Sequence, residues 1–131
     1  MKLFYATFAG VIAAFISMMF LEGLGHSLFP MPFKLDPNNI GAIADKLHLI
    51  PFEMYISVVF AHGIGLLIGL LIAKAIDKAS KISLYIIAGF FLIGTVSNLF
   101  MIPHPMWFAI ADVGMVALVG VFMITRPLPS K

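Results

Sequence analysis

The stretch PFEMYISVVFAHGIGLLIGLLIA (residues 51–73) decides the fold, because it contains no Asp, Glu, Lys or Arg after Glu53. A helix needs about 20 mostly apolar residues to cross a hydrocarbon core about 30 Å thick, and this run is long enough. A spanning segment must also satisfy its own backbone hydrogen bonds, and the lack of apolar–polar alternation excludes a barrel strand. The stretch is therefore predicted to be a transmembrane α-helix.

Further apolar runs of similar length lie on both sides of it. Of the 131 residues, 62% are hydrophobic and only 11% are charged, a composition outside the range of soluble domains. There is no cysteine, which excludes disulfides and thiolate metal sites. The sequence predicts an all-α membrane protein, a single domain over residues 1–131 formed by a four-helix bundle. Its transmembrane helices are expected at about residues 3–29, 51–73, 82–102 and 106–125.

Lysine and arginine are distributed unevenly between the two sides of such a bundle. Only Lys34 and Lys46 fall on one side. The other side carries the remaining basic residues, which are Lys2, Lys74, Lys78, Lys81, Arg126 and Lys131. By the positive-inside rule, both termini are predicted to be cytoplasmic and the loop of residues 30–50 to lie outside. Anchoring in the bilayer explains the slight positive charge, so no nucleic-acid partner is expected.

The outer loop is predicted to contain a short helix. Pro30 and Pro32 end the first transmembrane helix because they lack amide donors. Apolar residues then recur at helical spacing, at Ile40, Ile43, Ala44 and Leu47. This pattern predicts a short amphipathic helix that lies along the outer membrane surface.

A stripe of small residues runs along the second helix, at Ala61, Gly65, Gly69 and Ala73. Such a stripe lets another helix backbone approach closely. The sequence leaves open whether that helix belongs to the same chain. The alternative is a homo-oligomer or a larger membrane complex formed through Ala61, Gly65 and Gly69.

Polar side chains at membrane depth are the candidate functional residues. Ionisable groups in spans are costly and usually mark a functional interior. Counting about 1.5 Å per residue from the helix ends places the whole set in the outer half of the bilayer or just above it. The sequence therefore predicts an outward-facing polar pocket formed by Glu22, His26, His62, Asn98, His104 and Asp112.

Three interpretations of this set remain open. The first is a divalent transition metal, such as zinc, iron or copper, held by Glu22, His26 and His104, although their spacing matches no recognised metal motif. The second is proton exchange between a carboxyl group and a neighbouring histidine. The third is purely structural, with interhelical hydrogen bonds that fix the helix order. No haem is expected, because His26 and His62 differ by about 10 Å in the depth counted along their helices.

Two stretches, LEGLGHSLFPMPFKLDPNN (residues 21–39) and SNLFMIPHPMWF (residues 97–108), resemble the signature stretches of a family of small bacterial four-helix membrane proteins without an assigned function. The resemblance implies a multi-pass protein of the bacterial inner membrane and implies no reaction. The family pattern falls on Glu22, Gly25, His26 and Pro30, and on Asn98, Pro103, His104, Pro105 and Trp107. Within the candidate set it favours Glu22, His26, Asn98 and His104 as the core of a site, because His62 and Asp112 lie outside the pattern.

The function expected from the sequence is that of a non-enzymatic membrane subunit or binding protein. Its outward-facing pocket would hold a small ligand, a proton or a metal. The competing expectation is an intramembrane metal-binding enzyme, or a proton or ion transporter that uses the Glu/His cluster.

Overall fold

The computed structural model describes residues 1–34, 36 and 38–127, with the side chain of Ile40 excepted. Its α-helices are α1 (Lys2–Leu28), α2 (Phe52–Ile76), α3 (Ile82–Met101) and α4 (Met106–Thr125). A 3-10 helix, Ile40–Leu49, lies between α1 and α2, and the described residues contain no strand. The all-α prediction is confirmed. The largest difference from the predicted bounds is the end of α2, at Ile76 rather than Ala73.

All four α-helices are long and apolar enough to cross a membrane. In α2, 50% of the most apolar window is buried inside the protein, against 17% in α1, 22% in α3 and 28% in α4. The fold is therefore that of a multi-pass membrane protein in which α2 is the most buried helix. Prolines stand directly before the first residues of α2 and α4, where a missing amide donor does no harm.

The helix pairings define a rhombus. Both α2 and α3 contact all the other helices, whereas α1 and α4 have no backbone contact in the described part of the chain. The pairing of α1 with α2 is the most extensive, and that of α1 with α3 is the slightest. Around the bundle the order is therefore α1, α2, α4, α3, and the slight α1–α3 pairing leaves room for a cleft.

The small-residue stripe on α2 packs against α1. A Cβ atom added to Gly69 would meet the carbonyl oxygen of Gly10 and lie 2.6 Å from the Cβ of Ala14. One added to Gly65 would lie 2.9 Å from the carbonyl oxygen of Ala14. The partner of the stripe is therefore within the same chain. Gly65 and Gly69 are in contact with α1, and an oligomer or larger membrane complex stays a prediction.

The register between α1 and α2 corrects the depths counted from the sequence. Gly25 lies against Ser57, and Met18 lies against Gly65. Leu28 is therefore about level with Tyr55, and α2 extends about 5 Å beyond the end of α1. Each residue of α2 therefore faces a residue nearer to the C-terminal end of α1 than would be expected if the end of α1 and the start of α2 were level.

The loop contains a short helix, as predicted, and this helix is a 3-10 helix with three residues per turn. Ile43 is buried, and the hydroxyl of Tyr55 donates to the carbonyl of Leu47 at 3.4 Å. Ala44, predicted to share the apolar face, is exposed because the tighter winding rotates it outward. The position of this segment at a membrane surface stays a prediction.

Candidate functional site

A histidine in the centre of the bundle contacts two carboxylates from two other helices. His62 is only 7% exposed. Its Nδ1 lies 2.7 Å from Oδ1 of Asp112 on α4, and its Nε2 lies 3.0 Å from Oε1 of Glu22 on α1. We call Glu22, His62 and Asp112 the triad. It connects the two helices that have no backbone contact with each other.

Helical periodicity places each member of the triad on a face that packs. Asp112 is one turn from Phe108 and one turn from Val116, and all three are buried. His62 lies on the most buried part of α2, between Ala61 and Gly63. On α1, Glu22 follows Met18 by one turn, and Met18 contacts α2 at Gly65. The register described above then brings Glu22 level with His62.

The hydrogen bonds of the triad set its minimum proton count. Each N···O contact needs one proton, so the two contacts hold two protons. These are carried either by an imidazolium between two carboxylates or by a neutral imidazole with one carboxylic acid and one carboxylate. With only these two protons, the three side chains together carry one net negative charge in either form. The second oxygen of Asp112, Oδ2, is buried and has no hydrogen-bond partner among the described residues.

The Glu22 end of the triad opens into a cleft of about 300 Å³ between α1, α2 and α3. Aromatic rings line its inner end, where the ring centroids of Phe15 and Phe91 are 5.2 Å apart and those of Phe15 and Phe90 are 6.1 Å apart. Its polar groups, nearer the C-terminal ends of α1 and α3, are Glu22, His62, Thr95 and Asn98. Phe15, Phe90 and Gly94 are exposed on the outside of the bundle, so the cleft opens between α1 and α3.

His26 does not join this group. It is exposed, although it follows Glu22 by one helical turn and was expected to share its face. Near its end, α1 contacts α2 through Gly25, where a Cβ atom would lie 2.9 Å from the Cβ of Ser57. This tight contact turns His26 outward.

His104 lies in the turn between α3 and α4 and forms a separate interaction. Its Nδ1 lies 2.6 Å from the carbonyl oxygen of Ile102, so Nδ1–H is the donor, and its ring stacks on Phe108 with centroids 4.9 Å apart. Burial lowers the pKa of His104 below its ordinary value, an effect that the bond to the Ile102 carbonyl only partly offsets. The side chain is therefore a neutral packing element above Asp112.

The predicted metal ligands Glu22, His26 and His104 do not come together. Among residues 1–34, 36 and 38–127, no group of three or more His, Cys, Asp or Glu side chains is arranged to hold a metal ion. The triad is unsuited for a geometric reason. Glu22 and Asp112 contact opposite ring nitrogens, so they cannot converge on an ion that one of those nitrogens also binds.

Of the six predicted pocket residues, the structure brings together Glu22, His62 and Asp112 and places Asn98 on the cleft wall. The cleft also uses Phe15, Phe91 and Thr95, which the sequence did not single out. Little in the sequence distinguishes these three residues as parts of a site, because aromatic and small polar residues are common in membrane helices.

Comparison with protein-family models, with curated proteins and with solved structures found no match for this chain.

Proposed function

We propose that this chain is a non-enzymatic membrane binding protein or subunit that holds a small ligand in the cleft between α1 and α3. The triad forms the polar end of the site, and the rings of Phe15, Phe90 and Phe91 form the apolar end. Binding sites for small molecules are usually concave, mostly apolar and supplied with a few polar groups that orient the ligand. The cleft has this character.

One observation carries the proposal: Glu22 is held by His62 and also lines the cleft. Its side chain is 31% exposed, whereas those of His62 and Asp112 are 9% and 1% exposed. If these groups served only to fix helix order, all of them could be enclosed. Interhelical hydrogen bonds stabilise membrane proteins by only about 0.6 kcal/mol on average, which poorly offsets the burial of charge. An open carboxyl end is better explained by a ligand.

The orientation and location belong to the same proposal. The excess of basic residues near both termini and in residues 74–81 supports cytoplasmic termini, and the cleft then faces the outer half of the bilayer. The bacterial inner membrane, and membership of the four-helix family, rest on the two stretches that resemble it.

A proton transporter is the second candidate. It is favoured by Oδ2 of Asp112, which is buried without a hydrogen-bond partner among the described residues and is therefore free to take up a proton. Such a protein needs polar groups along a path to the other side of the membrane. Between the triad and the inner ends of the helices, the core is built from Leu66, Leu70, Leu84 and Ile87. This apolar core favours a binding site that opens to one side of the membrane over a proton path that crosses it.

Dicyclohexylcarbodiimide, an apolar reagent for carboxylic acids, tests the proposed cleft. The carboxyl proton moves to a nitrogen of the reagent, and the carboxylate oxygen bonds to its central carbon. The adduct rearranges to a stable N-acylurea that mass spectrometry locates in a peptide. We expect labelling at Glu22 in bilayer nanodiscs and none at the enclosed Asp112.

Two glycines of α3 provide a matched pair of variants. A Cβ atom on Gly94 or on Gly89 meets nothing within 4 Å, so both positions have room for a side chain. Only Gly94 lines the cleft. Gly94→Leu should therefore slow the labelling of Glu22, while Gly89→Leu should not. Equal rates in both variants, or no labelling of Glu22 in the wild type, would refute the proposal.

A further inference from the structure

We propose that the ligand of the cleft is a small organic ammonium ion with an apolar body, and that it exchanges with one proton at Glu22. This inference rests on the proposed function and specifies the class of its ligand. The charge of the triad, the lack of basic residues at its depth and the shape of the cleft all support it.

The negative charge of the triad has no partner within the spans. No Lys or Arg occurs in residues 3–33, 51–73 or 82–125. A net charge left in the hydrocarbon region is costly, and neutralising it is favourable. Because no Lys or Arg lies at this depth, the neutralising charge must be a further proton or a bound cation.

The atoms that line the cleft suit an ammonium group better than a metal ion. Ca²⁺ and Mg²⁺ need about six or more oxygen ligands, and the cleft offers one carboxylate, at Glu22. An alkylammonium has three N–H donors, and the available acceptors are the Glu22 carboxylate, the Asn98 amide oxygen and the Thr95 hydroxyl. Oε1 of Glu22 contacts His62, while Oε2 has no hydrogen bond within the described residues.

The inner end of the cleft fits the apolar body of such a ligand. From Glu22 to Phe15 the cleft runs about 10 Å along α1, and it ends at the cluster of Phe15, Phe90 and Phe91. Aromatic faces also attract cations, so a positive group moving past these rings is not repelled. The opening between α1 and α3 faces lipid, where amphiphilic amines concentrate.

Charge balance predicts exchange with a proton. In the empty site, we propose, a third proton on Oε2 of Glu22 makes the triad neutral and leaves the contact of Oε1 with His62 in place. When R–NH₃⁺ binds, this proton leaves to water, Glu22 pairs with the ammonium as a carboxylate, and the site is again neutral. Neither state leaves an uncompensated charge in the membrane.

The test uses decylammonium as the probe and the labelling of Glu22 by dicyclohexylcarbodiimide as the readout, in phosphatidylcholine nanodiscs. The reagent attacks only the protonated acid, so a bound ammonium should slow it. We expect decylammonium to protect Glu22 about tenfold more strongly than decanol, the neutral analogue, because charge-assisted hydrogen bonds are about twice as strong as neutral ones. Decyltrimethylammonium carries the same charge without N–H donors and should protect less than decylammonium. This comparison removes any effect of membrane surface charge.

A proton count gives an independent readout. In weakly buffered nanodiscs, addition of decylammonium should release about one proton per wild-type chain after subtraction of empty nanodiscs, as charge balance requires. Glu22→Gln should release none. Glu53→Gln, which removes an exposed carboxylate outside the cleft, should behave as the wild type.

The outcomes separate this inference from the proposed function. If decanol and decylammonium protect Glu22 equally and no proton is released, the cleft holds a neutral ligand. The inference is then overturned, while the proposed function stands. If Glu22 is never labelled and Gly94→Leu has no effect, both are overturned.

Discussion

Nδ1 of His62 lies 2.7 Å from Oδ1 of Asp112, and this contact joins α2 to α4, which has no backbone contact with α1 in the described part of the chain. The opposite nitrogen of the same ring contacts Glu22 on α1. A single imidazole therefore links α1 to α4 through α2. Because the two ring nitrogens contact carboxyl groups from different helices, α1 and α4 lie on opposite sides of this ring.

Removal of His62 should destabilise the protein strongly. His62→Ala leaves Asp112, which is 0% exposed, without its partner. Breaking a buried ion pair from one side costs about 3 kcal/mol or more, so we expect a loss of that order in the free energy of unfolding. Titration with a denaturing detergent in mixed micelles measures it. His48→Ala, at an exposed histidine, is the control.

The double variant His62→Ala, Asp112→Leu separates the loss of the hydrogen bond from the isolation of the carboxylate. Replacing both partners by apolar groups removes the unpartnered charge, so part of the lost stability should return. If His62→Ala costs no more than His48→Ala, the triad does not hold the helices together.

Close packing of α1 on α2 should make Gly69 intolerant of even one methyl group. The added carbon of Gly69→Ala would lie 2.6 Å from the Cβ of Ala14 and would also meet the carbonyl of Gly10. Because α1 must move away, we expect a loss of about 1–3 kcal/mol, the range of overpacked cores. The same titration measures it. Gly89→Ala has open space and should be neutral or slightly stabilising. Equal effects at the two glycines would contradict the helix pairing.

Much of the fold could be predicted because its determinants are local. The length of each apolar run sets a span, and Pro51 and Pro105 mark where α2 and α4 begin. The 3-10 form of the loop helix was harder to predict from the sequence. Its residues have an apolar periodicity that fits an α-helix, but packing of Ile43 and the contact of Leu47 with Tyr55 accompany a 3-10 winding. Such tertiary contacts are invisible in a single sequence.

The site could be predicted only as a set of candidates. Depth counting selected Glu22, His62 and Asp112 among six residues, but the family resemblance gave more weight to His26 and His104. Which side chains meet depends on the stagger of α2 beyond α1 and on the contact of Gly25 with Ser57. Both are properties of helix packing, which the spacing within one helix does not contain.

His104 should make the protein less stable in mild acid. Burial lowers the pKa of His104 below the ordinary 6.5, so the unfolded chain binds its proton more readily than the folded chain. The stability contribution is therefore complete above about pH 6.5 and is lost as the pH falls through that value toward the lower folded pKa.

The comparison that isolates this effect uses two glutamine variants. The free energy of unfolding should fall less steeply in His104→Gln than in the wild type between about pH 7 and pH 5.5. His48→Gln, which leaves His104 in place, should keep the wild-type slope. A steeper fall in His104→Gln would mean that the folded protein favours the protonated ring.

The membrane orientation predicts opposite accessibility for two single cysteines. Residues 1–131 contain no cysteine, so Asn39→Cys and Lys78→Cys each provide one unique thiol among them. In intact cells, an impermeant maleimide should label Asn39→Cys and should reach Lys78→Cys only after the cells are opened. Labelling of both cysteines from the outside would contradict cytoplasmic termini and an outward-facing cleft.

The most direct test of the triad is solid-state NMR on protein with ¹⁵N-labelled histidine and ¹³C-labelled Asp and Glu side chains in lipid. The His62 signals are assigned by their absence in His62→Gln. We expect Nδ1 to show a dipolar coupling to the carboxyl carbon of Asp112, and Nε2 to show one to the carboxyl carbon of Glu22. The first coupling should be lost in Asp112→Asn, because the asparagine side chain carries no ¹³C label. An Nδ1 or Nε2 without such a coupling would contradict the three-helix link, and with it the site at which the ligand is proposed to bind.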